Sequence, residues 1–159
     1  NNGYEYKTFH VHDAAGFVYW NRSGLVSGFV SGRDSIVVRQ RAAELGIHEP
    51  LLGRLDKAAA LQEILGRHPF GPEQIAYVGD DLLDLPILKV AGFAASVPNG
   101  RPEVQAAAHH VTSVTGGQGA VREVIEILLK AKGLWAGILE QEGLMPTDSG
   151  QGSGTGNSV

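Results

Sequence analysis

Short apolar runs alternate along this chain with longer stretches in which apolar residues return every three or four positions. Leu25 to Val30 predicts a short strand closed by Ser31-Gly32-Arg33, and a helix follows from about Asp34 to Leu45, with Gly46 placed to end it in a left-handed turn. After an extended piece around Ile47 to Leu52, Asp56 is positioned to cap a helix that runs to about Arg67. Pro69, Gly71 and Pro72 then break the chain. Ile75 to Val78 predicts a buried strand ending at Gly79-Asp80-Asp81, followed by a helix through Leu83 to Ala91 and a strand from Phe93 to Val97. A short helix from Arg101 to about Ala108 and a short strand over His110 to Thr112 come next. In the last clear helix, Ala120 to Lys132, the residues Val121, Val124, Ile125, Leu128 and Leu129 share one face, and Leu134 to Leu144 extends it as a weaker helix.

Strands alternating with helices predict an α/β fold: a parallel sheet in three layers, Rossmann-like, with helices on both faces. In such sheets ligands bind outside the carboxyl ends of the strands, so the residues there carry the functional argument. The domain is expected over 1–145. From Pro146 to Val159 the chain is mostly Gly, Ser, Thr, Asp and Asn, a composition that cannot bury enough apolar area to offset its ordering entropy, and a disordered tail is expected.

Composition narrows the picture. The chain has 159 residues, a length suited to one domain, and a formal net charge of -4 with its 13 basic residues scattered, which argues against a nucleic-acid partner. There are no cysteines, hence no disulfide framework, thiolate metal site or cysteine nucleophile, in keeping with a cytoplasmic protein. No apolar run approaches the ~20 residues that span a bilayer, so no membrane partner is expected. The only methionine is Met145, and the first residues form no signal peptide; the chain is read as beginning inside a longer sequence or after processing.

Three loops offer chemistry in order. Ser31 and Gly32 place a hydroxyl and backbone N–H groups at a strand end opening a helix, where anions bind. Lys57, at the start of a helix, adds the compact positive charge that a transferring phosphoryl group needs. Asp80, Asp81 and Asp84 follow a strand on a tight Gly turn, and adjacent carboxylates there repel unless a cation or donors join them; Mg²⁺, which takes oxygen ligands and keeps waters, suits the set. Singly, each has an ordinary explanation: Ser-Gly-Arg as a turn, Lys57 as a solvated helix residue, the acidic group as a helix cap. Together they spell phosphoryl transfer by positioning and charge neutralisation.

The segments NNGYEYKTFHVHDAAGF and FVSGR, the LDK around Lys57, AYVGDDLLDLPIL at Ala76 to Leu88 and GGQGAVREV at Gly116 to Val124 resemble the 3-deoxy-D-manno-octulosonate 8-phosphate phosphatase family, the capless branch of the haloacid dehalogenase superfamily. The similarity covers roughly residues 1–134, and the GDDxxDLP stretch is its most specific part. It implies a Mg²⁺-dependent phosphomonoesterase of lipopolysaccharide biosynthesis, acting through an aspartyl-phosphate on a small phosphorylated sugar acid and assembled as a homotetramer. Carried over by position, Ser31 and the Gly32 N–H hold phosphate oxygens, and Lys57 bridges phosphate and nucleophile. Asp80 ligates Mg²⁺, Asp81 orients the metal's waters or Lys57, and Asp84 is supporting or structural. The Gly116 to Gly119 loop and Arg122 belong to the pattern near the site, although Arg122 is equally placed to pair with Glu126 one helical turn on.

The sequence departs from the family in two respects. The nucleophile and general acid of the family lie in an Asp-x-Asp motif at the end of the first strand, and no Asp-x-Asp occurs in this chain. By the resemblance its first residues match a point just downstream of that motif, so the chain is expected to be truncated, inactive as it stands, and without its central first strand. The neighbouring strands would then carry unpaired backbone groups at about 1–3 kcal/mol each, and the isolated chain is expected to be unstable, to aggregate or to recruit another segment. Asp13 has a place of its own in the segment entering the first helix and does not replace the nucleophile. His12 stands where the family often has Arg, near the substrate, and is only partly charged near neutrality. His10 and His12 alternate as on a strand, and are read as polar-face residues for want of a third metal ligand. Two other functions compete. A non-catalytic oligomerisation or binding module, such as the C-terminal domain of an acylneuraminate cytidylyltransferase, would carry the same residues. A phosphoacceptor receiver domain is set aside, because there the acidic pair precedes the hydroxyl and lysine.

Overall fold

A computed structural model describes residues 4–144; the tail expected over 146–159 lies outside them. Among the described residues seven α-helices and five strands follow in order: α1 (Val11–Arg22), β1 (Gly28–Ser31), α2 (Ile36–Glu44), β2 (Glu49–Leu52), α3 (Lys57–Leu65), β3 (Ala76–Val78), α4 (Leu85–Leu88), β4 (Phe93–Ser96), α5 (Pro102–Ala107), β5 (His110–Val111), α6 (Ala120–Ala131) and α7 (Trp135–Gln141). All strand pairings are parallel. The α/β class follows as expected, but the described strands form two sheets, β1–β2 and β3–β4–β5, with no pairing between them.

Local chemistry sets the element ends. Ser35 caps α2 by accepting the Val38 N–H at 3.3 Å, and Asp56 caps α3 by accepting the Ala59 N–H at 3.0 Å. Successive residues of a strand face opposite sides, and Ala94 and Ala95 are both fully buried, so β4 is covered on both faces. On one side Leu88 and Val104, from α4 and α5, close on Ala94, with Tyr77 and Leu85 against them. A second cluster joins Ile125 and Leu129 of α6 to Ile138 of α7, with Phe17, Tyr19 and Trp20 of α1 packed on it.

One expectation near the start is corrected. His10 and His12 do not alternate on a strand: His10 is the extended residue before α1 and His12 lies in the helix's first turn. Helix α1 itself, VHDAAGFVYWNR, is poor in intrinsic helix formers and is held by tertiary packing. Gly16 is buried where α1 meets α6, and a methyl group there would approach Arg122 Cδ and Ile125 Cδ1 at 3.2 Å. Phe17 also stacks edge-on against Phe29 of β1, with ring centroids 5.3 Å apart, which ties α1 to the two-stranded sheet. No helix among the described residues is long and apolar enough to cross a membrane.

Candidate active site

The loops at the carboxyl ends of β3, β4 and β5 are stitched into one rim. The Arg101 N–H donates to the Asp80 carbonyl at 2.8 Å, and the Gly116 N–H donates to Asn99 Oδ1 at 2.7 Å. Gly119, with φ of 101°, lies against the His10 ring at the far end. On the two-stranded side, the Arg54 N–H donates to the Ser31 carbonyl at 2.8 Å, and Leu55 touches Gly32. Two residues further on, Lys57 opens α3 and reaches the acidic loop.

The centre of that loop is Asp84, whose side chain is only 2% exposed. Its Oδ1 accepts from the Lys57 ammonium and, at 2.5 Å, from the Tyr77 hydroxyl; its Oδ2 accepts the backbone N–H groups of Asp80 and Asp81, each at 3.1 Å. Burial pushes the Asp84 pKa up, but the hydrogen bonds from Lys57, Tyr77 and the Asp81 N–H outweigh it and hold the carboxyl below its ordinary range. The turn that makes this possible needs glycine at position 79. A Cβ on Gly79 would fall 2.5 Å from Asp84 Cβ, inside any tolerable contact. Gly79 is anchored by its N–H to the Ala95 carbonyl at 3.0 Å and by the buried Ser96 hydroxyl, which donates to its carbonyl at 2.9 Å.

The other candidate residues are placed as follows. Asp80 is exposed, and among the described residues its carboxylate has no hydrogen-bond or ion-pair partner. Asp81 does not pair with Lys57; its carboxylate caps the 3-10 turn Leu82–Asp84, accepting the Leu82 N–H at 2.7 Å, so the carboxylate that fixes Lys57 is Asp84's. Ser31 ends β1 and its hydroxyl accepts the Arg33 N–H at 3.2 Å. The helix opening expected at Ser31 and Gly32 comes later, at Ile36, where Ser35 already serves as cap and donates at 2.7 Å to Glu5. Arg122 stands apart: its Nε donates to Glu126 at 2.7 Å and its guanidinium lies over the Tyr19 ring at 4.9 Å, within the packing of α1, α6 and α7. Asp13 accepts the Arg122 N–H at 2.8 Å and is spent on the start of α6. His12 is exposed, edge-on to His10 at 5.1 Å.

Tyr77 is the site residue that sequence reasoning passed over. The available signal was a hydroxyl in the middle of an apolar strand, since a buried tyrosine needs a partner for its O–H. As for a metal, no group of three or more His, Cys, Asp or Glu residues gathers among the described residues. The free Asp80 carboxylate nonetheless fits Mg²⁺, which binds through one or two carboxylates and fills its remaining positions with water and substrate oxygens.

A parallel α/β scaffold with a lysine and a Gly-Asp-Asp turn at its carboxyl rim defines a class, and residues 49–125 match the model of the haloacid dehalogenase-like hydrolase family. The 3-deoxy-D-manno-octulosonate 8-phosphate phosphatase of Escherichia coli K12 is 38% identical over 133 residues, which cover 84% of this chain and 71% of that protein. The Moraxella catarrhalis enzyme of that name, solved with a magnesium ion, a phosphate ion and a KDO molecule, superposes with a TM-score of 0.84 at 40% identity, covering 89% of this chain and 82% of that one. The Yersinia pestis enzyme superposes at 0.82 with 37% identity, covering 84% and 72%. The chain belongs to the 3-deoxy-D-manno-octulosonate 8-phosphate phosphatase family of haloacid dehalogenase-like hydrolases.

Proposed function

We propose that this rim hydrolyses the phosphomonoester of a phosphorylated sugar acid, 3-deoxy-D-manno-octulosonate 8-phosphate or a close analogue, when the Asp-x-Asp nucleophile is supplied by sequence outside this chain. The observation that carries the reading is the buried Lys57–Asp84 ion pair beside the unpartnered Asp80 carboxylate. Lys57 neutralises charge on the phosphoryl oxygens, the Ser31 hydroxyl and Gly32 N–H orient them, and Asp84 holds Lys57 in place. Asp80 would hold Mg²⁺, and Asp81 would orient its waters; the ion would supply positive charge against the phosphate. His12, exposed in the first turn of α1, is a candidate contact for the sugar-acid portion. Arg122 is assigned to helix packing. A cytoplasmic homotetramer is the assembly we assign, and light scattering on the purified protein tests it.

The decisive assay is Mg²⁺-dependent phosphate release from a panel of sugar-acid phosphates, comparing the 159-residue chain with one extended upstream by its genomic sequence. The extended protein should turn over and the short one should not. Equal rates would overturn the missing nucleophile. Inactivity of both, with an upstream cytidylyltransferase domain or an altered motif, would replace the enzyme by the non-catalytic module, the reading favoured by the absence of Asp-x-Asp from the sequence.

A further inference from the structure

Tyr77 is explained neither by packing nor by the chemistry assigned above. Its ring lies against Leu88, Ala94 and Val104, a role phenylalanine would fill equally well. Its hydroxyl leaves that cluster and enters the polar site. There it donates to Asp84 Oδ1 at 2.5 Å, the same oxygen that takes Lys57, and it receives a longer 3.4 Å contact from Lys57 Nζ. Burial, with the Asp84 carboxylate beside it, pushes the phenol pKa well above its ordinary value, so the hydroxyl remains a donor across the working range of pH.

The geometry points to Tyr77 as a positioning residue for phosphoryl transfer, one that shares Asp84 Oδ1 with Lys57 so that the ammonium keeps a free donor for the phosphoryl oxygens. The inference rests on the phosphatase reading above. An ammonium carries three donors. With Tyr77 satisfying part of Oδ1, Lys57 is steered but not captured by Asp84. With the hydroxyl removed, Oδ1 is left to Lys57 alone while the Asp80 and Asp81 N–H groups still hold Oδ2, so Lys57 is drawn further onto Asp84 and less positive potential faces the phosphoryl group. Charge on that group is redistributed most in the transition state, so the loss falls on kcat and hardly on KM. The ring also fixes where the hydroxyl points, because it is wedged into the apolar cluster while its oxygen meets the site.

The test is Tyr77→Phe in the full-length protein, assayed for Mg²⁺-dependent phosphate release, alone and combined with Asp84→Asn. The expected result is a fall in kcat of about tenfold, less than the hundredfold typical of losing a donor that touches the reacting group. KM should stay within about twofold and the thermal midpoint within a few degrees, since the ring packing is kept. Adding Tyr77→Phe to Asp84→Asn should change kcat by less than about twofold, because residues acting through one another are non-additive. Wild-type kcat in Tyr77→Phe would overturn the inference. So would a full tenfold loss on top of Asp84→Asn, or a Tyr77→Phe protein that no longer folds, which would make the hydroxyl purely structural. A wild-type protein that releases no phosphate overturns the phosphatase reading itself, an outcome distinct from an active wild type indifferent to Tyr77.

Discussion

The two sheets are protected very differently. In β3–β4–β5, the middle strand has Ala94, Ala95 and Ser96 at 0% exposure, with Leu88 of α4 and Val104 of α5 closing on Ala94. In β1–β2, only Glu49 and Leu51 of β2 are buried, and β1 is half-exposed along Phe29 to Ser31. The candidate chemistry is divided between them. Ser31 and Lys57 come from the thinner half, and Tyr77, Asp80 and Asp84 from the thicker one. What the difference teaches is that the candidate rim is also a joint, since the Lys57–Asp84 pair links a helix that follows β2 to the loop that follows β3.

Breaking the joint should have the largest effect. Asp84→Ala leaves a buried ammonium, a tyrosine hydroxyl and two backbone N–H groups without their acceptor, and is expected to cost about 3–5 kcal/mol in denaturant unfolding. A loss below about 1 kcal/mol would mean that the halves are held together by other contacts. Next comes Leu88→Ala in α4, a fully buried side chain packed on Ala94 of β4, at about 3 kcal/mol. Val30→Ala in half-exposed β1 should cost about 1 kcal/mol, and equal losses at the two positions would erase the contrast between the sheets. Ser35→Ala removes the α2 cap and the partner of Glu5, for about 1 kcal/mol, read as a shift of the denaturant midpoint with an unchanged slope.

The smallest effect concerns acid. Burial raises the Glu49 pKa, but hydrogen bonds from His68 at 2.8 Å and Arg67 at 2.6 Å more than reverse it, and the folded-state value lies below the ordinary one. The stability this supplies is complete above the unfolded value of about pH 4.3 and is lost as pH falls through the lower folded value. Glu49→Gln should therefore flatten the acid limb of a stability–pH curve below about pH 4.3 and leave its shape near neutrality unaltered. An unchanged acid limb would show that the thinner half draws nothing from this cluster.

Much of this architecture was legible in the residue pattern, for reasons that differ by element. The strands read well because their apolar runs are bounded by glycine, proline or acidic turns, and α6 because its apolar face repeats without interruption. Helix α1 did not, because Gly16 and a run of valine and aromatic residues argue locally against a helix that is stabilised by packing on α6 and its neighbours. At the site, the spacing of Ser31, Lys57 and Asp80 announced phosphate chemistry, but it could not apportion the three aspartates. Which one pairs with Lys57 depends on how the 3-10 turn Leu82–Asp84 folds back, a property of the loop's path that residue spacing does not encode. Tyr77 was hidden for the opposite reason, in that its neighbours in sequence made it look like one more core residue.

For anyone adapting this rim to a new substrate or ion, the turn after β3 sorts its positions sharply. Leu82 and Leu83 face solvent and tolerate a broad library. Position 79 tolerates none, because even alanine would drive a methyl group into the aspartate on which the whole turn closes. Directed evolution of this scaffold therefore has to work around a single hydrogen atom, and variants altered there should disappear at the expression step before any activity screen sees them.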